Sequence, residues 1–115
     1  MTGSRDTDRF GRRAERIAAL FLALKGYRTL ARRFRSPSGE IDLIARRGRL
    51  VVYVEVKARR GERAEVRDRQ RRRIRRAAEH FLKLRPELSS CDQRFDVVLI
   101  RPGAFPTHLK DAWRD

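Results

Sequence analysis

The run Leu50-Val-Val-Tyr-Val-Glu-Val-Lys57 limits the possible folds more than any other part of the chain. Its β-branched and aromatic residues alternate, so Leu50, Val52, Val54 and Val56 form one apolar face and Val51, Tyr53, Glu55 and Lys57 the other. A strand that begins near Glu40 precedes it, and Arg47-Gly48 reads as a two-residue hairpin turn between them. That turn pairs Arg46 with Arg49 and sets Asp42 opposite Tyr53. Ile41, Leu43 and Ala45 then face Val54, Val52 and Leu50, whereas a one-residue slip would set apolar faces against polar ones. The same register gathers Glu40, Asp42, Glu55 and Lys57 on the opposite face. Asp42 and Glu55 become diagonal neighbours, about 7 to 8 Å apart at the backbone.

The flanking segments extend this hairpin into an α/β domain. Thr7 or Asp8 is placed to cap a first helix that ends at Lys25, with residues 1–6 expected to be disordered. Phe10, Ala14, Ile17, Phe21 and Leu24 keep helical spacing and form its expected buried stripe, with Glu15 on the flank beside Ala18, Ala19 and Leu22. Tyr27 to Arg35 reads as a strand that turns at Ser36-Pro37-Ser38-Gly39. After Gly61 a second helix runs to about Leu84, its stripe being Val66, Gln70, Ile74, Ala77 and Phe81. Phe95 to Ile100 is apolar on both faces, as a buried parallel strand requires, and residues 105–109 can add a short edge strand. The expected order is αβββαβ, a mixed sheet flanked by helices in a single domain spanning residues 1–115.

Charge narrows the choice of partner. Thirty Lys and Arg against 15 Asp and Glu leave a net charge of +15, which calls for an anionic partner, most often phosphates. Seven arginines crowd residues 67–76 and repel one another unless something anionic lies against them. Arg67 and Arg71, with Arg59, Arg60 and Arg63 in the preceding loop, are therefore expected to hold nucleic-acid phosphates without reading bases. DNA is expected ahead of RNA, although charge does not separate them. Cys91 is the only cysteine, which excludes an intramolecular disulfide and a cysteine zinc cluster and fits a reducing cytoplasm. The apolar run Ile17 to Leu24 is too short to span a bilayer, so no membrane partner is expected.

Carboxylates that converge from adjacent strands repel one another and call for a cation or a basic group between them. Oxygen-only ligands suit Mg2+, or Mn2+, with Asp42 and Glu55 as the expected metal ligands. Lys57, on the face of Glu55, is placed to orient or deprotonate a water and to stabilise the charge of an attacked phosphodiester. Only four of the 30 basic residues are lysine, so bulk charge alone does not account for Lys at this position. A structural ion pair among Glu55, Lys57 and an arginine remains the alternative. Glu15 could pair with Arg12 one turn earlier. Gln70 sits in an apolar lane that faces the sheet and is expected to support the site, and Glu40 could bind a metal through water or balance Arg35 or Arg46.

Asp42 followed by Glu55-Val56-Lys57 after a hairpin, with Glu15 on the first helix, resembles the PD-(D/E)XK nuclease superfamily, the restriction-endonuclease-like fold. More narrowly, Gly11 through Glu15, Gly26-Tyr27, Gly39-Glu40-Ile41-Asp42-Leu43-Ile44, Val54 to Lys57 and Arg94 to Val98 resemble the YraN-like bacterial family across nearly the whole chain. The resemblance implies a fold similar to archaeal Holliday-junction resolvases. In it, Asp42, Glu55 and Lys57 match catalytic positions and Glu15 matches the helix-one acid. The proline that precedes the first acid in the superfamily motif is replaced here by Ile41. The expected activity is a metal-dependent endonuclease on DNA, branched or damaged DNA included. A non-catalytic nucleic-acid-binding scaffold and an RNA-directed nuclease stay open, and a homodimer would match the two strands of a duplex.

Overall fold

The computed structural model describes residues 2–58 and 66–114, with the side chains of the first helix described from Gly11 onward. The order is α1 (Thr2–Leu24), β1 (Arg28–Ser36), β2 (Gly39–Arg47), β3 (Leu50–Lys57), α2 (Asp68–Leu84), a 3-10 turn (Pro86–Leu88), β4 (Asp92–Leu99) and β5 (Thr107–Leu109). The strands form one sheet in the order β1-β2-β3-β4-β5, parallel only between β3 and β4. This is the expected αβββαβ mixed sheet, and the edge strand expected from residues 105–109 is β5. Two apolar layers fill its faces. Ala18, Ala19 and Leu22 of α1 pack with Tyr27, Leu43, Ala45, Val52, Val54 and Val98. Ile74, Ala77, Ala78 and Phe81 of α2 pack with Ile41, Ile44, Val51, Tyr53 and Val97.

Helix α1 buries a different stripe from the one its spacing suggests. Ala14, Glu15, Ala18, Ala19 and Leu22 face the sheet, while Ile17 and Leu24 are 39% and 82% exposed. Both stripes have helical periodicity, so spacing does not choose between them. Small residues at 14, 18 and 19 let the helix approach a sheet whose own valines and leucines supply the apolar bulk. The helix begins ahead of Thr7 and Asp8 and ends in a Schellman turn. Tyr27 N–H reaches Leu22 O at 2.9 Å, Gly26 N–H reaches Ala23 O at 3.0 Å, and Gly26 takes φ 92, a conformation open to glycine.

The β2–β3 hairpin corrects the expected register by two residues. Arg47 pairs with Leu50, and the loop is Gly48-Arg49 rather than Arg47-Gly48. Glycine at the first central position, with φ 60 at Gly48, fits a type II′ turn, whereas the expected loop needs an arginine at positive φ. Leu43 therefore faces Val54 and Ala45 faces Val52. The paired ladder ends at Leu43↔Val54, one residue short of Asp42 and Glu55.

A second correction concerns Ile41. Leu43 and Ala45 lie in the α1 layer, but Ile41 packs in the α2 layer with Ile44. The alternation reverses beside Arg33, which falls between the β1–β2 pairs Arg32↔Leu43 and Phe34↔Ile41, and so opposite Asp42, with φ 50. A residue in left-handed conformation inside a strand re-aims its neighbours as a bulge does. The reversal brings Asp42 to the cleft beside α1 as well as the one beside α2. Helix α2 closes against the same hairpin at Gly39, where a Cβ would lie 2.3 Å from Arg73 O.

Candidate functional site

Asp42 stands at the point where the β2–β3 ladder ends. Its Oδ2 accepts the Val56 N–H at 2.8 Å, in place of a backbone partner. Asp42 and Glu55 lie close enough for the charge of one to act on the other. Gln70, reaching from α2, donates its Nε2 to Glu55 Oε1 at 2.8 Å. Lys57 is half-buried at the end of β3, close enough for its charge to favour ionised Glu55. Asp42, Glu55, Lys57 and Gln70 are thus gathered at one end of the hairpin, from two strands and a helix.

Both carboxyls are pushed above the ordinary carboxylate range. Burial raises Asp42 most, against the Val56 N–H, and the charges of Glu15 and Glu40 raise it further. Burial also raises Glu55 most, followed by the charge of Asp42, while Lys57 and Gln70 oppose the rise. Two neighbouring acids whose charges oppose each other form a like-charge pair suited to a cation. Their all-oxygen donors suit a hard divalent ion, which binds through one or two carboxylates and keeps several waters. Among the described residues, no third acidic, histidine or cysteine side chain converges to complete a metal-ready group.

Two clefts meet at the acids. One, of about 320 Å³, is walled by Gly11, Ala14 and Glu15 of α1 with Arg33, Arg35, Glu40 and Asp42. The other, of about 260 Å³, is lined by Glu40, Asp42, Glu55, Gln70, Arg73 and Ile74. Glu15 is buried, and its partner is Arg33, not Arg12: Arg33 Nε lies 2.6 and 3.1 Å from its two oxygens. Glu40 is exposed, its Oε2 3.6 Å from Arg35 Nε.

The expected phosphate-binding arginines divide. Arg59, Arg60 and Arg63 lie outside the described residues. Arg67 is exposed at the N-cap of α2. Arg71 is committed elsewhere, donating to Val66 O at 2.7 Å and lying over the Trp113 ring. Arg73 and Arg33, which charge counting did not single out, line the clefts instead. The Ser36↔Gly39 turn pairing carries the signal for Arg33, because counting back from it sets residue 33 against residue 42. For Arg73 the signal is its place one turn after Gln70 on the helix flank.

A second buried polar group lies away from the clefts. Asp96 is fully buried and accepts from Arg94 Nη2 at 2.7 Å and Nε at 2.8 Å, meets His108 Nε2 at 2.7 Å and takes the Asp111 N–H at 2.9 Å. Burial alone would raise its pKa, but these hydrogen bonds outweigh it and hold Asp96 at about 2. His108 Nδ1 in turn lies 2.6 Å from Lys25 Nζ, so the network ties β5 and the chain after it to the end of α1.

Fold and site together define an α/β protein with a half-buried acid pair, a lysine and a glutamine at the open end of a β-hairpin. The chain belongs to the uncharacterised protein family UPF0102, whose model matches residues 14–100. A UPF0102 protein of Parvibaculum lavamentivorans is 55% identical over 109 residues, covering 92% of this chain and 82% of its own. Relatives from Paramagnetospirillum magneticum and Caulobacter vibrioides are 50% and 48% identical, covering 92% and 90% of this chain and 88% and 85% of their own. Among the described residues, no helix is long and apolar enough to cross a membrane.

Proposed function

We propose that this protein is a Mg2+- or Mn2+-dependent endonuclease that hydrolyses phosphodiester bonds of DNA, branched or damaged DNA in particular. The observation that carries the reading is the half-buried Asp42–Glu55 pair, held by the Val56 N–H and by Gln70 at the meeting of two arginine-lined clefts in a chain of net charge +15. On this reading Asp42 and Glu55 would hold the cation, and Gln70 holds Glu55 in place. The cation supplies Lewis-acid stabilisation of the charge that grows on the attacked phosphodiester. Lys57 orients the attacking water and donates to the phosphate oxygen. Arg33, Arg35 and Arg73 balance the phosphates on either side. A homodimer in the cytoplasm would present two such sites to the two strands of a duplex.

The decisive experiment compares cleavage of four-way junction, flap, duplex and structured RNA with Mg2+ or Mn2+, using Asp42→Asn and Glu55→Gln as controls. Cutting by the wild type that both variants lose supports the reading. Equal cutting by the variants would remove these acids from the site. One observation favours a second reading, a nucleic-acid-binding scaffold without catalysis. Glu15 and Glu40 are each engaged by an arginine, which leaves two acids where a fuller ligand set would hold metal more tightly. Tight binding to junction DNA with no cleavage in either metal would select it.

A further inference from the structure

Lys25 follows the last residue of α1, and its ammonium meets an imidazole rather than a carboxylate. Its Nζ lies 2.6 Å from His108 Nδ1, and the other ring nitrogen, Nε2, lies 2.7 Å from Asp96 Oδ2. Asp96 is ionised, held by Arg94 and by the Asp111 N–H, and an ionised carboxylate only accepts. The imidazole hydrogen therefore sits on Nε2, and Nδ1 turns its lone pair to the lysine. Both partners are fixed. His108 pairs with Val98 in the sheet, its side chain is 2% exposed, and Tyr27 meets the ring edge-on at 5.9 Å. The Lys25 N–H reaches Leu22 O at 3.0 Å, and Lys25 O accepts from Arg47 Nη1 at 3.3 Å. Burial lowers the Lys25 pKa most, the charges of Lys110 and Arg47 lower it further, and Tyr27 and Asp96 oppose them. A buried carboxylate, an imidazole and a third group in hydrogen-bonded sequence is the arrangement that activates a nucleophile, and here the third group is an amine.

Going beyond the nuclease reading, we infer that Lys25 is a Schiff-base lysine for an aldehyde that carries phosphate, with His108 as its proton acceptor and the exposed Arg47 and Lys110 to balance the phosphate. The Lys25 ammonium passes a proton to His108 Nδ1, and the imidazolium is balanced by Asp96. The neutral amine attacks the aldehyde carbon, a C–N bond forms, and one amine proton moves to the former carbonyl oxygen. His108 then returns its proton to that hydroxyl, which leaves as water while the nitrogen lone pair closes the protonated C=N bond. Ammonium and aldehyde thus give iminium and water, with no oxidant or metal. Arginine at this position would offer the same charge to a phosphate but keeps its proton, and only four of the 30 basic residues are lysine. Two sources share the chemistry, a free sugar phosphate and the open-chain sugar of an abasic site in DNA.

The test treats the full chain, in excess chelator, with cyanoborohydride and one of three probes: glyceraldehyde 3-phosphate, glyceraldehyde, or an oligonucleotide bearing one abasic site. Hydride fixes the imine as a secondary amine, and peptide mass spectrometry reads which lysine carries it. Lys25 should be labelled ahead of Lys83 and Lys110, both exposed, and faster by a phosphorylated probe than by glyceraldehyde. The faster of the two phosphorylated probes identifies the source. His108→Gln keeps an N–H for Asp96 but removes the Nδ1 acceptor, and should slow labelling of Lys25 about 10²-fold at neutral pH, as when a positioned base is lost. That loss should shrink as pH rises and the amine deprotonates without help, which a merely structural role for His108 would not produce. If His108→Gln unfolds, Arg47→Gln with Lys110→Gln, at two exposed positions, should erase the preference for the phosphorylated probes. Labelling of Lys25 no faster than of Lys83 and Lys110, equal labelling by all three probes, or a wild-type rate in folded His108→Gln overturns the inference. Because the chelator removes divalent metal, each of these outcomes is separate from the success or failure of the nuclease reading.

Discussion

Asp42 takes the Val56 N–H at 2.8 Å, so a side chain on β2 completes the backbone bonding of β3 beyond the last ladder pair, Leu43↔Val54. The same carboxylate therefore has structural and chemical work at one position. Asp42→Asn preserves an acceptor for Val56 and should fold, whereas Asp42→Leu leaves a buried N–H without a partner, at a cost of about 1 to 3 kcal/mol. Urea melts of the two variants at neutral pH give the comparison.

Stability of the metal-free protein should fall with rising pH. Both acids of the pair have folded pKa values above their unfolded ones, so the folded state binds more protons between those values. Stability is fullest below the unfolded carboxylate range and declines as pH rises through the folded values. Thermal melts from pH 5 to pH 9, in roughly unit steps, should show this decline. Asp42→Asn should flatten it, and Mn2+ should restore stability at the alkaline end. A flat wild-type profile would contradict the raised pKa values of the pair.

Gln70 opposes the rise of the Glu55 pKa through its hydrogen bond. Gln70→Ala should push Glu55 further up and weaken Mn2+ binding by about 10- to 100-fold, the range typical when a partner that orients a ligand is removed. The loss should shrink at higher pH, where Glu55 ionises without help. Titrations at two pH values separate this from a general loss of fold.

Asp96 acts in the opposite direction. Its folded pKa, at about 2, lies below the ordinary carboxylate value, so its contribution is present above the unfolded pKa and lost as pH falls through the folded one. Asp96→Asn leaves Arg94 and His108 without their buried anion and should cost about 3 to 5 kcal/mol. Denaturant midpoints at neutral pH and near pH 2 measure it, and the difference between variant and wild type should narrow in acid.

Alternation in Leu50–Lys57, the turn residues and the helical stripe of α2 made the element order legible, and with it the end of the hairpin where the acids meet. Gln70 was legible because a polar residue interrupted an apolar lane that faces the sheet. Three things were not. The hairpin register turned on whether Gly48 sits first or second in a two-residue loop, and alternation with period two is blind to a shift of two. Ile17 and Leu24 of α1 kept the right spacing on the wrong face, because small residues rather than large ones mark the side that docks on a crowded sheet. Arg33 and Glu15 were joined by a backbone torsion at residue 33, and no side-chain pattern encodes that.

Gly39 meets Arg73 O with no room for a Cβ. Gly39→Ala must therefore move helix α2 or the hairpin, and overpacking of this kind costs about 1 to 3 kcal/mol. A chemical melt detects it, and Mn2+ affinity should fall with it if Gln70 moves away from Glu55.

That contact also has a mechanical meaning. The hairpin that bears both acids and the helix that bears Gln70 and Arg73 abut backbone to backbone, with no flexible side chain between them to act as a cushion. A displacement that tilts α2 must therefore also shift β2, the strand that carries Asp42. The walls of the cleft lined by Glu40, Asp42, Glu55, Gln70 and Arg73 are thus held at a separation that leaves no room for one more carbon atom at Gly39.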